Sequence, residues 1–217
     1  MINLLYDDEY IAVALKPAGL LSEGEGEDCV PHLLAQILGE KRKENVTVFP
    51  VHRLDRATEG IMVYALTKSA AASLSSQIAD GEWNKTYTAL LTKAPEKSSD
   101  TLCDLLYYDK TKGKSFVVKK ERKGVKKAVL TYEVIGSALK GKAAAVRVEL
   151  QTGRTHQIRV QFASRKMPLV GDRRYGAPAE FGNILNLCAT ELSFRHPQDG
   201  RELHFSIEPS FEYEKTL

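Results

Sequence analysis

A short polar segment between two apolar runs has the residue types for acid–base or nucleophilic chemistry. It reads HRLDRATEG over residues 52–60, and an apolar run follows it from Ile61. Asp55 stands between Arg53 and Arg56, and neighbouring guanidinium groups keep a carboxylate ionised, as a nucleophile or base requires. A structural ion pair within a turn would explain the same three residues, so the pattern alone leaves both interpretations open.

Several other kinds of site fit the sequence poorly. His-Arg-Leu-Asp only partly matches a protein-kinase catalytic loop, and no DFG or glycine-rich phosphate loop accompanies it. The segment 22–28, SEGEGED, carries four acids that would repel phosphate, so we expect a flexible acidic loop there. The five histidines form no HxxxH or HxH pair, so no metal site is predicted. A sugar hydrolase that pairs Asp55 with Glu59 is disfavoured, because the surrounding arginines do not suggest paired acids.

The elements that must position these residues can be predicted from apolar spacing. Helical spacing predicts one helix that follows Pro31 and ends before residue 45, a second from Ala70 to Gly81, and a basic third helix after Gly153. Strands are predicted at 4–6, 10–15, 46–51, 61–66, 87–91, 115–118, 128–135, 143–151, 186–194 and 203–207. We therefore expect an α+β fold with a mixed, mostly antiparallel sheet flanked by helices.

Length and composition limit the class of protein. The chain has 217 residues, of which 43% are hydrophobic and 27% charged, as in ordinary globular proteins. We expect a single domain over residues 1–217, made of two intimate subdomains without a linker. No apolar run reaches the roughly 18 residues of a membrane span, and the acidic start does not resemble a secretory signal. A cytoplasmic location is predicted.

The net charge of +3 hides a strong segregation of charge. Segments 110–127 and 154–174 contain nine and six basic residues with one acid each, a net +13, so the rest of the chain is acidic. Such a distribution predicts a basic face for a polyanion, although lysine-rich loops in solvent would explain the first segment equally well.

Taken singly, Tyr87 would be a core aromatic of a strand and Arg159 a surface residue of a helix.

Five segments in this order resemble motifs of the RluA-type RNA pseudouridine synthases. They are LLYDDEYIAVALKPAGL (4–20), HRLDRATEG (52–60), KTYTA (85–89), GRTHQIR (153–159) followed by GDRRYG (171–176), and LSFRHPQDGRELHFSIEP (192–209). The second is similar to the family motif HRLDxxTSG, which holds the catalytic aspartate. Glu59 replaces the serine of that motif, and Cys188 stands where histidine is common. The resemblance covers nearly the whole chain.

The resemblance implies an isomerase that converts uridine within structured rRNA or tRNA to pseudouridine without a cofactor or metal. It assigns Asp55 as the nucleophile, Arg159 as the cation paired with Asp55, and Tyr87 as the residue that stacks on uracil and is a candidate base. Arg53 would fill the space that a flipped uridine leaves. The residues implied to contact RNA are His52, Arg53, Arg56, Thr58, Lys85, Arg154, His156, Gln157, Lys166, Arg173 and Arg174.

These implications define one main expectation and one alternative. We expect the pseudouridine synthase catalytic fold without an N-terminal RNA-binding domain, acting as a monomer on a compact RNA stem-loop. The alternative is a non-catalytic RNA-binding or chaperone protein that uses the same basic face.

Overall fold

The computed structural model describes residues 2–215, which form two compact units. The first unit comprises residues 2–85 and Ala189–Glu208, and the second comprises Thr86–Cys188 and residues 209–215. No helix within residues 2–215 is long and apolar enough to cross a membrane.

Strands outnumber helices in the described residues. The strands are β1 (Asn3–Asp7), β2 (Ile11–Lys16), β3 (Phe49–Pro50), β4 (Glu59–Ala65), β5 (Asn84–Leu91), β6 (Ser99–Asp109), β7 (Lys114–Val118), β8 (Val125–Ala138), β9 (Ala143–Leu150), β10 (Leu187–Arg195), β11 (Glu202–Ser206) and β12 (Glu214–Lys215). The helices are α1 (Val30–Arg42), α2 (Lys68–Ala79) and α3 (Gln157–Ser164).

In the first unit the strand order is β1-β2-β4-β10, with β3 beside β4 and β11 beside β10. Strands β2 and β4 are antiparallel, and their register sets Lys16 opposite Gly60. This register brings the end of β2 next to the start of β4, where the polar segment 52–60 ends. The core of the unit includes Ile11, Val63 and Trp83. Helix α2 contributes Leu74 to this core. Thr67 is the N-cap of this helix, and its side chain accepts a hydrogen bond from the Ala70 amide.

In the second unit the strand order is β5-β9-β8-β6-β7, and β12 pairs with β8. These neighbours are all antiparallel. One core cluster gathers Leu90, Ala145 and Val170. A second cluster places Val160 of α3 with Tyr175.

The predicted α+β class with mostly antiparallel pairing and flanking helices is confirmed. Strand β6 was not predicted, and β8 extends beyond the predicted 128–135 at both ends. The sequence of β6 interrupts its apolar alternation with Asp100 and Asp104, which form ion pairs with Lys97 and Arg165. Because these acids stand at positions where an alternating strand would have apolar residues, the sequence pattern does not predict β6. That the two units constitute a single catalytic domain stays a prediction.

Candidate active site

A fully buried lysine holds the backbone of the polar segment 52–60, which we call the Asp55 loop. Lys16, the last residue of β2, has no solvent exposure. Its Nζ donates hydrogen bonds to the backbone carbonyls of Thr58 at 2.6 Å, Pro17 at 3.0 Å and Arg56 at 3.2 Å. Two of these carbonyls lie within three residues of Asp55, so one side chain fixes the backbone that follows the candidate nucleophile.

The backbone before and at Asp55 is also held. The Ser22 hydroxyl donates to the Leu54 carbonyl at 2.8 Å, and the Gly19 amide donates to the Arg56 carbonyl at 2.8 Å. The Thr58 amide donates to the Asp55 carbonyl at 2.9 Å, which closes a turn. Residues 16–22 and residues 54–58 are therefore joined by hydrogen bonds within the first unit.

Lys16 places a positive charge against the backbone carbonyls of this loop at neutral pH. Burial lowers the pKa of its ammonium group from 10.5 to about 8, and Arg56 lowers that pKa further, whereas Asp55 and Glu59 act in the opposite direction. A charged group without solvent contact is costly unless hydrogen bonds surround it. The three carbonyl acceptors of Lys16 meet that requirement.

The two arginines beside Asp55 contact the acidic loop. Arg53 pairs with Glu23 at 2.6 Å, and Arg56 pairs with Asp28 at 3.3 Å. The carboxylates belong to the SEGEGED segment, whose residues 23–28 are exposed. Exposed pairs contribute at most about 1 kcal/mol, so phosphate groups can replace these carboxylates at little cost. That the arginines keep Asp55 ionised stays a prediction.

His52 has a structural hydrogen bond in the first unit. Its Nε2 accepts the Val63 amide at 3.0 Å, and its ring lies edge-on to Trp83 at 5.2 Å between centroids. Burial, reinforced by the nearby Lys85 charge, lowers the pKa of His52 to about 3, so the imidazole is neutral. Lys85 lies over Trp83 at 5.1 Å, and burial lowers its pKa as well. RNA contacts by His52 and Lys85 stay predictions.

The last residues of the HRLD segment are closely packed. Thr58 is 2% exposed, and its hydroxyl finds no hydrogen-bond partner among residues 2–215. Gly60 has φ +133°, and a Cβ there would lie 2.4 Å from the backbone nitrogen of Ala189. Only glycine adopts this φ without strain and has no Cβ to collide with the Ala189 backbone. An RNA contact by Thr58 stays a prediction.

In the second unit, Arg159 of α3 forms a buried bidentate ion pair. Its Nε donates to Asp172 Oδ2 at 2.7 Å, and its Nη2 donates to Oδ1 at 2.9 Å. Arg159 is 6% exposed and Asp172 is 2% exposed. The default expectation of a surface arginine is therefore wrong, because this carboxylate compensates the buried guanidinium. The two hydrogen bonds to Asp172 fix the orientation of the planar Arg159 guanidinium group.

Tyr175 connects this ion pair to the start of α3. Its ring centroid lies 5.1 Å from the Arg159 guanidinium carbon. Its hydroxyl accepts the Ser115 amide at 2.8 Å and is hydrogen-bonded to His156 Nδ1 at 2.9 Å. Burial raises the pKa of Tyr175, so the phenol is neutral. His156 itself has φ +55° at the N-cap of α3, a conformation that this hydrogen bond helps to maintain.

The two basic segments meet in the second unit. Arg154 Nε donates to the Lys127 carbonyl at 3.0 Å, and Arg174 Nη2 donates to the Lys112 carbonyl at 2.8 Å. Lys114 Nζ donates to the Arg174 carbonyl at 2.7 Å. Segments 110–127 and 154–174 therefore form one surface, which we call the basic surface. Cations brought this close together favour a polyanionic ligand.

A comparison with known protein families shows the class of protein that contains this site. A family model described as RNA pseudouridylate synthase matches residues 10–164, which include the Asp55 loop, Tyr87 and Arg159. The chain belongs to the RNA pseudouridylate synthase family. The predicted enzyme class is thereby confirmed. The resemblance to RluA-type proteins is confirmed by this match together with a relative named RluA, which is described next.

Curated relatives and a solved structure agree with this assignment. An uncharacterized RNA pseudouridine synthase of Aquifex aeolicus is 34% identical over 95% of this chain and 69% of its own length. The dual-specificity RNA pseudouridine synthase RluA of Yersinia pestis is 34% identical over 96% of this chain and 99% of its own. The structure of human RNA pseudouridylate synthase domain containing 4 aligns with a TM-score of 0.76 at 25% identity, covering 95% and 88% of the two chains.

Two further residues predicted for this pseudouridine synthase are buried. Tyr87 lies on β5 opposite Val148 of β9 and is 7% exposed. Gln157 is 3% exposed, and its amide holds the turn before α3: Oε1 accepts from the Thr152 hydroxyl and the Arg154 amide, and Nε2 donates to the Val129 carbonyl. The catalytic role of Tyr87 and an RNA contact by Gln157 stay predictions.

The structure adds positioning residues of this pseudouridine synthase that the sequence interpretation did not assign. Lys16 and Ser22 hold the Asp55 loop, and Asp172 and Tyr175 hold Arg159. Lys16, Asp172 and Tyr175 lie inside segments that resemble the family motifs, so motif membership is the available sequence signal for these three. Ser22 lies outside those segments and has no such signal. Arg173 and Lys166, predicted RNA contacts, are exposed. Within residues 2–215, no group of three or more His, Cys, Asp or Glu side chains could hold a metal ion.

Proposed function

We propose that this pseudouridine synthase isomerises uridine in structured rRNA or tRNA, with Asp55 as the nucleophile. The observation that carries the proposal is the fastening of the Asp55 loop, in which buried Lys16 and Ser22 fix the backbone around one carboxylate. Holding a reacting group in place accounts for a large share of enzymatic rate enhancement.

The proposed reaction rearranges the substrate without adding or removing atoms overall. The N1–C1′ bond breaks, a C5–C1′ bond forms, the proton on C5 passes to solvent, and N1 takes up a proton. Asp55 acts at C1′, either by attack or by stabilising the positive charge that develops there. The overall change is an isomerisation that needs no external electron donor or acceptor, and we propose that it proceeds without a cofactor or metal.

Tyr87 and Arg159 are proposed as the other catalytic residues because they stand in the matching family motifs. Tyr87 would stack on uracil and accept a proton from the sugar or from C5. Arg159 would be the cation that orients the Asp55 carboxylate. Its bidentate bond to Asp172 supports this role, because a guanidinium held in one plane loses little entropy when it binds a further acceptor.

RNA recognition is assigned to the basic surface together with the exposed arginines of the Asp55 loop. Arg154, His156, Arg173 and Arg174 would bind phosphates, and Arg53 would occupy the space of the flipped uridine. The exposed pairs of Arg53 and Arg56 with acidic residues support this, because such pairs exchange easily. We propose that the chain acts as a monomer in the cytoplasm, where rRNA and tRNA are found.

Tritium release from RNA labelled at uridine C5 tests the proposal. Wild-type protein releases tritium from total rRNA or tRNA, whereas Asp55→Ala releases none above background and still binds the RNA. Asp80→Ala at the end of α2 is the matched control and keeps the wild-type rate. Binding without release by wild-type protein would instead support the non-catalytic RNA-binding alternative.

A further inference from the structure

The second unit contains a cavity that the proposed reaction does not use. Its volume is ≈ 960 Å³, at the upper end of the range for pockets that bury most of a small ligand. It lies between the end of β5, the β8–β9 turn, the residues that follow α3, and the segment that follows Tyr175. We call it the lysine cavity.

The lining of the lysine cavity combines cations with an apolar surface. Lys93, Lys140, Lys142 and Lys166 line it, and Glu180 is the one acid among its lining residues. Leu139, Pro168 and Phe181 supply apolar surface, and Leu139 is 50% exposed. An apolar wall bordered by ammonium groups suits a ligand with a flat ring and a phosphate, because the ring stacks and the phosphate pairs with lysine.

The position of the cavity favours a nucleotide of RNA over a free nucleotide. Tyr175 lines the cavity and also contacts Arg159 and His156. Lys166 belongs to the basic segment 154–174, so the cavity continues the basic surface. An RNA strand that follows this surface would therefore reach the cavity with a phosphate and an adjacent base.

We propose that the lysine cavity binds an unpaired nucleotide of the substrate RNA. The base lies against Phe181 and Leu139, and the flanking phosphates contact Lys140 and Lys142. This inference rests on the proposed function for the identity of the ligand, and it adds a second point of contact away from the reacting uridine. Unpaired bases can enter such a cavity, whereas bases stacked within a duplex cannot.

The test measures binding of a fluorescein-labelled, single-stranded twelve-nucleotide oligouridylate by fluorescence anisotropy. The variant Lys140→Gln/Lys142→Gln removes two cations, and Lys68→Gln/Lys97→Gln, at exposed positions outside the cavity, is matched in charge. With a salt coefficient of about 0.7 per phosphate contact, each contact contributes about fivefold to affinity at 0.1 M salt. The cavity variant is expected to bind about 25-fold more weakly, with its salt slope smaller by about 1.4.

Two further measurements separate a nucleotide site from a simple patch of charge. Phe181→Leu keeps an apolar side chain but removes the ring, and we expect about fivefold weaker binding of the oligouridylate. A twelve-base-pair RNA duplex is expected to bind the cavity variant and the charge-matched control with equal affinity. The proposal would be overturned if the cavity variant and the charge-matched control lost the same amount of affinity for the oligouridylate. It would also be overturned if Phe181→Leu bound the oligouridylate as tightly as the wild type. Micromolar binding of uridine monophosphate would also overturn it, because the site would then serve free nucleotides.

Failure of this inference can be told apart from failure of the proposed function. Tritium release by the wild-type protein, combined with unaltered oligouridylate binding by the cavity variants, would refute the cavity alone. Absence of release, combined with the expected binding losses, would refute the isomerase proposal alone. Asp55→Ala is expected to bind the oligouridylate like the wild-type protein, because the cavity does not involve that residue.

Discussion

Replacing Lys16 by methionine removes the buried ammonium that holds the Asp55 loop while keeping an unbranched side chain of similar length. The buried Thr58 carbonyl loses its 2.6 Å partner, which costs about 1–3 kcal/mol. The change also removes a buried charge. The fall of the Lys16 pKa from 10.5 to about 8 corresponds to a penalty of about 3 kcal/mol for the charged form. These two effects oppose each other.

We therefore expect little change in global stability but a large loss of activity. The free energy of unfolding at pH 7 changes by less than about 2 kcal/mol, because the two effects nearly cancel. The rate of pseudouridine formation falls about 100-fold, because the backbone that follows Asp55 loses its tether and a displacement of about 1 Å costs that much. Lys68→Met at an exposed position of α2 is the control and changes neither quantity.

The pH dependence of stability gives a second readout for Lys16. Between pH 8 and 10.5 the unfolded chain keeps the proton on Lys16 and the folded chain loses it, so the free energy of unfolding rises with pH. Methionine cannot titrate. Urea unfolding from pH 7.5 to 10.5 should thus show the wild type gaining about 3 kcal/mol relative to Lys16→Met. The reasoning would be refuted if the difference in free energy of unfolding between wild type and Lys16→Met stayed constant across this pH range. Activity of Lys16→Met within threefold of wild type would also refute it.

The remaining predictions concern a buried ion pair and a close backbone contact. Asp172→Asn leaves the Arg159 guanidinium without its carboxylate and should lower the free energy of unfolding by about 3–5 kcal/mol in urea titrations. Asp104→Asn, in a more exposed pair, should cost less than about 1.5 kcal/mol, and equal costs would contradict the burial argument. Gly60→Ala should cost more than about 3 kcal/mol by chemical denaturation, because its Cβ meets backbone 2.4 Å away. Gly24→Ala is the control, because Gly24 has φ +110° but no atom lies within 4 Å of the added Cβ, so the variant has backbone strain without a collision. It should lose less stability than Gly60→Ala, and an equal loss would contradict the argument that the collision at Gly60 is costly.

The sequence was sufficient for the class of fold and for the position of the Asp55 loop. Helices α1 and α2 carry clear 3.6-residue spacing. Strands such as β2 and β4 are short, continuous apolar runs between polar or turn residues, so both kinds of element follow from local patterns. The loop was recognisable because charged residues interrupt two apolar runs. Its support by Lys16 was not predictable, because a lysine at the end of an apolar strand normally extends into solvent. Only the β2–β4 register turns this side chain beneath the loop.

The burial of Arg159 does not follow from the sequence, for a related reason. Helical periodicity places it beside a buried stripe, and a lone arginine there is by default solvated. Its partner Asp172 lies thirteen residues away, across a turn that no periodicity describes. One sequence signal did exist, because Asp172 is the single acid in the basic segment 154–174. An isolated acid among cations is a reasonable candidate for a buried ion pair.

The lysine cavity could not be predicted from the sequence at all. Its lining comes from four separate parts of the chain, and Lys93, Lys140 and Lys142 lie outside both basic segments, 110–127 and 154–174. Local charge density identifies stretches of chain, whereas a cavity depends on which turns the sheet brings together. The β8–β9 turn reaches the end of β5 because β9 pairs with β5, with Ala144 opposite Leu91.

Site-by-site mapping of pseudouridine in cellular RNA tests the central claim most directly. The gene is deleted, and rRNA and tRNA are compared after complementation with the wild-type chain or with Asp55→Ala at equal protein levels. We predict that one or more pseudouridines disappear on deletion, return with the wild-type chain, and do not return with Asp55→Ala. An unchanged pseudouridine map in the deletion strain, or full restoration by Asp55→Ala, would contradict the assignment of Asp55 as the nucleophile of an RNA pseudouridine synthase.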